Sequence, residues 1–192
     1  MPTVLVVTGP SGAGKGTLIR ELVRRVPGIE VTVSATTRAR RRGEEDSNHY
    51  WFLSDEEFSE RVARGEFLEH VEFVAGHRYG TLRSELDRIA ANGHVPLLEL
   101  ETEGALEVKR EVPGAVTIFI SARVEELERR LRERATESAG EIGERIELAR
   151  KQLEQASEFD YVIENDDLER AVTELTTLVR RLLSPAATMP RR

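Results

Sequence analysis

The chain of 192 residues contains no cysteine. That excludes disulfides and thiolate metal sites and fits a reducing compartment. No apolar run approaches the ~20 residues of a membrane span. The first residues, with Val4-Leu5-Val6-Val7, read as a buried strand and not as a charged region before a signal core, so no export signal is expected. The chain also lacks an excess of positive charge; its formal net charge is −7. Long nucleic acid is an unsuitable partner for such a body, because its binding rests on neutralising many phosphates. Internal repeats and low-complexity blocks are missing too. The basic residues present are nonetheless grouped: Arg38, Arg40, Arg41 and Arg42 in one cluster, Arg129, Arg130, Arg132 and Arg134 in another. Local positive sites on an acidic body suit a small anion better than a polymer. For the second cluster, on a predicted helix, a solvated face is an equal reading.

The length suits one compact α/β domain with insertions, since a chain of this size hides roughly 70% of its unfolded surface. Its most informative stretch is Gly9-Pro10-Ser11-Gly12-Ala13-Gly14-Lys15-Gly16-Thr17. An apolar run precedes it and an amphipathic one follows, with Leu18, Ile19, Leu22, Val23 and Val26 on one face. Strand, glycine-rich turn and helix in that order are the context in which G-x-x-x-x-G-K cradles phosphates. The glycines let several N–H groups converge on one anion, and the helix N-terminus adds its positive end. Lys15 reaches the outer phosphates as a point charge. A nucleoside triphosphate is the ligand this predicts. The hydroxyl that normally follows the lysine and holds Mg²⁺ is replaced by Gly16, with Thr17 next; Thr17 or a water takes that place.

Further along, apolar strands alternate with helical patterns. Strands are predicted at 4–7, 31–34, 67–74, 95–101, 116–120 and 161–163, with Tyr50-Trp51-Phe52 as a short additional segment. Helices are predicted at 82–91, 103–111, 124–133, 141–158 and 168–183. Ser54 followed by Glu57 reads as a capping box opening a short helix with Phe58 and Val62 on one face. A polar loop from Ala35 to Asn48 and a turn from Gly76 to Gly80 complete the middle of the chain. The alternation predicts a parallel sheet covered on both faces, with the phosphate loop at the carboxyl ends of its strands. The polar stretch from 34 to 81 interrupts that alternation, and insertions at that end of a sheet usually bind something.

In that insertion stand Ser34-x-Thr36-Thr37-Arg38-x-x-Arg41-x-Gly43-Glu44, Tyr50-x-Phe52, Phe67-x-Glu69 and Tyr79-Gly80-Thr81; Asn165-Asp166-Asp167 lies near the end. With the phosphate loop, these motifs, in order from about residue 3 to 183, resemble the guanylate kinases of the nucleoside monophosphate kinase group. The resemblance implies a P-loop NTPase-like three-layer α/β/α fold with a parallel core sheet, an inserted GMP-binding subdomain and a helical lid. The implied boundaries are core at 1–33, 83–125 and 151–184, GMP-binding subdomain at 34–82, lid at 126–150 and a disordered tail at 185–192.

The implied activity is transfer of the γ-phosphoryl group of ATP to GMP or dGMP. Arg38, Arg41, Tyr50 and Tyr79 match the residues that hold the GMP phosphate, as guanidinium forks and phenol donors would. Glu69 matches the guanine-reading carboxylate, with Ser34 and Thr81 as hydroxyls beside it. A carboxylate accepts guanine N1–H and the N2 amine together, and adenine offers neither, so such a site can discriminate by roughly 10⁴. Without the resemblance, Tyr50 reads as core and Glu69 equally as a surface carboxylate. Arg134 and Arg145 match lid arginines that neutralise the transferred group, with Arg130 a further candidate, and Asn165 matches a contact to the adenine of ATP. Magnesium with ATP is the implied cofactor. A cytoplasmic monomer or homodimer acting on small molecules, with no nucleic acid and no membrane, is the implied setting.

The chain departs from the family pattern in places. Glu99-Leu100-Glu101 stands where Asp-x-Asp is usual, Arg40 replaces a proline, and Ala135 follows Arg134 where glycine is customary. One of Glu99 and Glu101 is expected to complete the guanine or Mg²⁺ environment. Two other readings stay open: a catalytically inert module that binds phosphopeptides in the same pocket, and a kinase of another small acceptor, since Gly-Lys-Gly-Thr also resembles adenylate and cytidylate kinases.

Overall fold

The computed structural model describes residues 3–72, 76–134 and 139–184, with only the backbone of 134 and 139–141. Five strands make a wholly parallel sheet: β1 (Val4–Thr8), β2 (Ile29–Val31), β7 (Val95–Glu99), β8 (Ala115–Ser121) and β9 (Tyr161–Glu164), ordered β2-β7-β1-β8-β9. The central β1 has all of its residues buried. Leu5 and Val7 point to one face and pack with Leu18 and Leu22 of α1 (Lys15–Arg25), Leu175 and Val179 of α7 (Leu168–Leu183), and Leu127 of α5 (Val124–Arg134). Val4 and Val6 point to the other face and meet Ala105 and Val108 of α4 (Thr102–Glu111), with Phe119 stacked on Phe159 at 5.2 Å. A strand whose successive residues are all apolar because both faces are covered is what a parallel sheet requires. Each fully buried aliphatic side chain in these layers contributes about 1.5–3 kcal/mol of transfer free energy.

Between β2 and β7 the chain builds a second sheet from β3 (Ala35–Thr36), β4 (Trp51–Phe52), β5 (Phe67–Glu72) and β6 (Arg78–Leu82), ordered β4-β3-β6-β5. Its own small core is Ala35, Phe58, Phe67 and Leu82, with Phe58 and Phe67 stacked at 4.3 Å. Phe58 comes from α2 (Asp55–Ala63), whose start carries the reciprocal cap: Ser54 Oγ accepts from Glu57 N–H, and Glu57 accepts from Ser54 N–H. Helix α3 (Arg83–Ala91) leads back to β7. Helix α6 (Ala139–Glu154) and a 3₁₀ turn at Gln155–Glu158 lie between α5 and β9.

Three sequence expectations are corrected. The edge strand is Ile29–Val31, not 31–34, because Ile29, Glu30 and Val31 are the residues in register with Val95, Pro96 and Leu97. The expected polar loop begins two residues late, since Ala35 and Thr36 pair with both Trp51-Phe52 and Gly80-Tyr79. The expected turn at 76–80 is mostly strand β6. Gly80 is there for close approach: a Cβ on it would sit 2.7 Å from both the Phe67 ring and the Glu69 carbonyl. The expected tail at 185–192, Phe73 and Val74 of the predicted strand, and Ala135 lie outside the described residues.

Candidate functional site

The phosphate loop runs from the carboxyl end of β1 to the first turn of α1. Gly9, Gly12 and Gly14 hold φ of 138°, 88° and 88°, a region that L side chains rarely adopt. Gly9 also lies flat on the Ile120 backbone of β8, and a Cβ on Gly14 would come to 2.5 Å from Asn165 Nδ2. The α1 N-terminus has no side-chain cap and no acidic residue in its first turn. Its leading N–H groups and dipole end are therefore available to an anion. Lys15 Nζ folds back on the loop, donating to the Gly9 carbonyl at 2.6 Å and the Pro10 carbonyl at 3.3 Å.

Three elements brace the loop from behind and above. Asn165, 3% exposed at the end of β9, donates through Nδ2 to the Ala13 carbonyl at 2.8 Å. Arg130 of α5 donates to the Gly12 carbonyl and to the Asn165 carbonyl, both at 3.2 Å, while Glu126 Oε1 accepts from its Nε at 2.7 Å. Arg145 of α6 donates through Nη2 to Ser11 Oγ at 3.0 Å. Asn165 thus stands under the loop and not in the open cleft. Arg134 ends α5, and its side chain lies outside the described residues.

Across from the loop opens a cleft of about 1260 Å³, lined by Lys15, Ser34, Arg38, Arg41, Tyr50, Glu69, Tyr79, Glu99 and Glu101 among others. The inserted sheet supplies the far wall. Arg38 Nη2 donates to Glu44 Oε1 at 2.8 Å, and Glu44 Oε2 accepts from Arg41 N–H at 2.8 Å. Those bonds hold the Glu44 carboxyl below the usual carboxylate range, Arg38 first and Arg41 second. The Arg38 guanidinium stands 5.4 Å from the Tyr50 ring centre and also hydrogen-bonds Tyr79. Tyr50 and Tyr79 meet edge-on at 6.0 Å. Two guanidinium-bearing residues and two phenols therefore converge, and Glu44 keeps Arg38 oriented.

Deeper in the cleft, Glu69 is 5% exposed and accepts from Thr81 Oγ1 at 2.8 Å. Burial pushes its carboxyl up from the ordinary value, only partly offset by the Thr81 hydroxyl and backbone bonds. Its other oxygen faces α4, where a Cβ on Gly104 would lie 3.2 Å from Oε2. On the cleft floor Glu99 keeps solvent contact, yet the surrounding protein raises its carboxyl, with Lys15 opposing and Glu101 adding. Glu101 Oε2 accepts from Gln152 Nε2 at 3.3 Å.

Among the described residues no three acids or histidines are grouped to hold a metal by themselves. Hard-oxygen donors at the helix end of the loop include the Thr17 hydroxyl, which accepts from Arg20 at 3.2 Å, and Glu99, whose Oε2 lies 3.9 Å from where a Gly16 side chain would begin. Few protein ligands plus phosphate oxygens is the usual way Mg²⁺ is held, and this donor set fits it. Glu44, Gly104 and Gln152 were not assigned roles by the sequence, although Glu44 stands in the motif quoted above and Gly104 is a glycine in the first turn of a helix.

A family model described as "Guanylate kinase" matches residues 1–182. A guanylate kinase of Synechococcus sp. (strain CC9311) is 51% identical over 91% of this chain and 90% of its own length. One from Synechococcus elongatus is 45% identical over 92% of this chain and 96% of its own length. The crystal structure of guanylate kinase from Anaplasma phagocytophilum superposes with a TM-score of 0.72 at 29% identity, covering 95% of this chain and 87% of that one. The chain belongs to the guanylate kinase family.

Proposed function

We propose that this member of the guanylate kinase family moves the γ-phosphoryl group of ATP to GMP or dGMP, giving ADP and GDP or dGDP. The observation that carries the reading is one cleft with two chemically distinct walls. A main-chain phosphate cradle with Lys15 faces a guanidinium–phenol cluster and a buried carboxylate with its hydroxyl. ATP rests with its phosphates on residues 9–17. GMP rests with its phosphate among Arg38, Arg41, Tyr50 and Tyr79, and its base against Glu69, Thr81 and Ser34.

An oxygen of the GMP phosphate attacks the γ-phosphorus in line; the bond to the β–γ bridging oxygen breaks, and that oxygen leaves with ADP. The attacking phosphate is already ionised near neutral pH, so positioning and charge neutralisation are what the protein supplies. Lys15 turns from the Gly9 and Pro10 carbonyls to the β and γ oxygens. Arg38 holds the acceptor phosphate against the donor, and Arg145, already over Ser11, neutralises the transferred group together with Arg134. Asn165, expected at the adenine, takes a bracing role in this reading: through its bond to the Ala13 carbonyl it fixes the loop under the nucleotide. Glu101 lines the same cleft and ties it to α6 through Gln152. The Thr17 hydroxyl and Glu99 are the side chains that would hold Mg²⁺ beside the loop, and the ion would supply charge neutralisation to the phosphates.

Residues 34–82 form the acceptor-binding unit in this reading, and 126–150 the lid whose closure excludes water. Residence in the cytoplasm, where free ATP and GMP are found, and a monomeric or homodimeric state belong to the same reading. No described helix is long and apolar enough to cross a membrane. A coupled assay of ADP production with GMP, dGMP, AMP, CMP and UMP tests it. GMP and dGMP are expected to turn over, with AMP at least about 10³-fold poorer in kcat/KM. Comparable turnover of AMP or CMP overturns the acceptor assignment. Absence of turnover on all of them overturns the activity.

A further inference from the structure

The inserted sheet is tied to the core at a place the sequence does not advertise. The chain leaves the parallel sheet after Val31 through residues 32–34 and returns through β6 into α3. Glu85 lies in the first turn of α3, just past the return, and is 2% exposed. Its carboxylate has donors from both directions of this crossing. Oε2 accepts from the Val33 backbone N–H on the outbound link at 3.0 Å, and Oε1 accepts from the indole N–H of Trp51 on β4 at 3.4 Å. Arg88, one turn further along α3, donates to both oxygens at 3.0 Å. The same guanidinium donates to Glu30 Oε1 on β2 of the core at 2.6 Å. A continuous polar line therefore runs from core strand β2 through Arg88 and Glu85 to the outbound link and to β4.

We propose that Glu85 is a positioning residue: it sets the angle of the inserted sheet on the core, and through that angle it sets how the acceptor wall meets Lys15. The inference rests on the kinase reading above. Strand β4 carries the connection. Trp51 N–H donates to the Ser34 carbonyl at 2.9 Å, and the neighbouring Tyr50 is packed against Phe52 and Tyr79. Strand β4 is the edge of the inserted sheet, so a shift of β4 about Glu85 moves Ser34 and Tyr50 out of line with Tyr79, Glu69 and Thr81 on β6 and β5, while the phosphate loop stays with β1 and α1. The carboxylate chemistry is specific to this role. An ionised carboxylate accepts at every position, whereas a glutamine must turn its amide N–H₂ toward donors already in place and leaves some of them without an acceptor. Bonds from a buried charge are also the strong ones. Arg88 holds Glu85 in its ionised form, with the Val33 and Trp51 bonds assisting against burial.

The test uses the full chain and Glu85→Gln, with binding of GMP and of a non-hydrolysable ATP analogue with Mg²⁺ measured by calorimetry beside steady-state kinetics. The expected result is a rise on the order of 10-fold in both the Kd and the KM for GMP. The Kd for the ATP analogue is expected to stay within a factor of about two, because among the described residues the loop shares no hydrogen-bond partner with Glu85. Trp51 is the single tryptophan of the chain, so its emission is expected to shift in the variant. Residue loss that only weakens folding would lower the melting temperature without splitting the two nucleotides. If Glu85→Gln does not fold, Trp51→Phe removes one donor and carries the same test, with an expected rise of about threefold for GMP alone. Constants for both nucleotides that move together, or that do not move, overturn the inference. A wild type inactive on GMP overturns instead the kinase reading on which it stands.

Discussion

Replacing Glu69 by glutamine separates what the carboxylate costs from what it does. In the protein without nucleotide, Glu69 is buried and bonded to Thr81. In the proposed complex it accepts guanine N1–H and the N2 amine in parallel. Glutamine can turn its carbonyl to guanine and its N–H₂ to the Thr81 hydroxyl, so one of the paired base contacts survives. The loss is one charge-assisted hydrogen bond, about 1.5–3 kcal/mol. That is roughly a 10- to 150-fold rise in the GMP Kd, with weaker rejection of AMP.

Stability should move the other way. Burial raises the folded carboxyl above its ordinary 4.5. Between the unfolded and folded values the native state therefore binds more protons than the unfolded one, and stability falls as pH rises across that window. The contribution is complete below the unfolded value and gone above the folded one. Glutamine has no such dependence. Relative to wild type, Glu69→Gln is expected to melt higher at pH 8 than it does at pH 4.5. Initial rates with GMP and AMP and thermal melts at both pH values check the pair of expectations. An unchanged GMP KM with AMP still rejected refutes the base-reading role. A melting difference identical at both pH values refutes the burial argument.

Lys15→Met is expected to lower kcat by at least about 10²-fold while leaving GMP Kd nearly unchanged; normal turnover in that variant removes Lys15 from the chemistry. Gly14→Ala places a side chain at φ 88° and 2.5 Å from Asn165 Nδ2. It should cost at least about 1–2 kcal/mol in urea unfolding and weaken ATP-analogue binding; an unaltered midpoint with full binding counts against the strut. Phe58→Ala empties the centre of the small core, an expected loss of about 3–5 kcal/mol. Its damage should fall on GMP binding, with ATP-analogue binding retained in the folded fraction; equal loss of both nucleotides argues against separate walls.

The parallel sheet was legible because its strands are continuously apolar and its helices amphipathic, and because a lysine after two glycines in a strand–helix turn has few structural alternatives. The inserted sheet was less legible. Ala35-Thr36 and Trp51-Phe52 are too short to show a period of two, and they pair only through tertiary contact. Gly80 reads as a turn residue, yet it serves to let Phe67 and the β5 backbone lie against β6. The cluster of Arg38, Arg41, Tyr50 and Tyr79, proposed here to hold a phosphate, was nameable residue by residue from the family resemblance, but its internal chemistry was not. Glu44 orienting Arg38, Gly104 making room for Glu69, and Asn165 lying beneath the loop all depend on contacts between segments far apart in sequence. Glu85 gave no signal: a glutamate three residues before an arginine on a helix is ordinarily a solvated pair.

The two crossings between the sheets lie side by side, with Ala35 paired to Gly80 and Val33 bonded to Glu85. A detour whose ends touch is a cassette. The parallel sheet does not register how long the detour is, because closing a loop costs little more as it lengthens. Another acceptor module can be spliced in at the same seam, and β1, α1 and the phosphate cradle keep their places. In this architecture the choice of acceptor is interchangeable, while the donor site is fixed by the threading of the whole molecule.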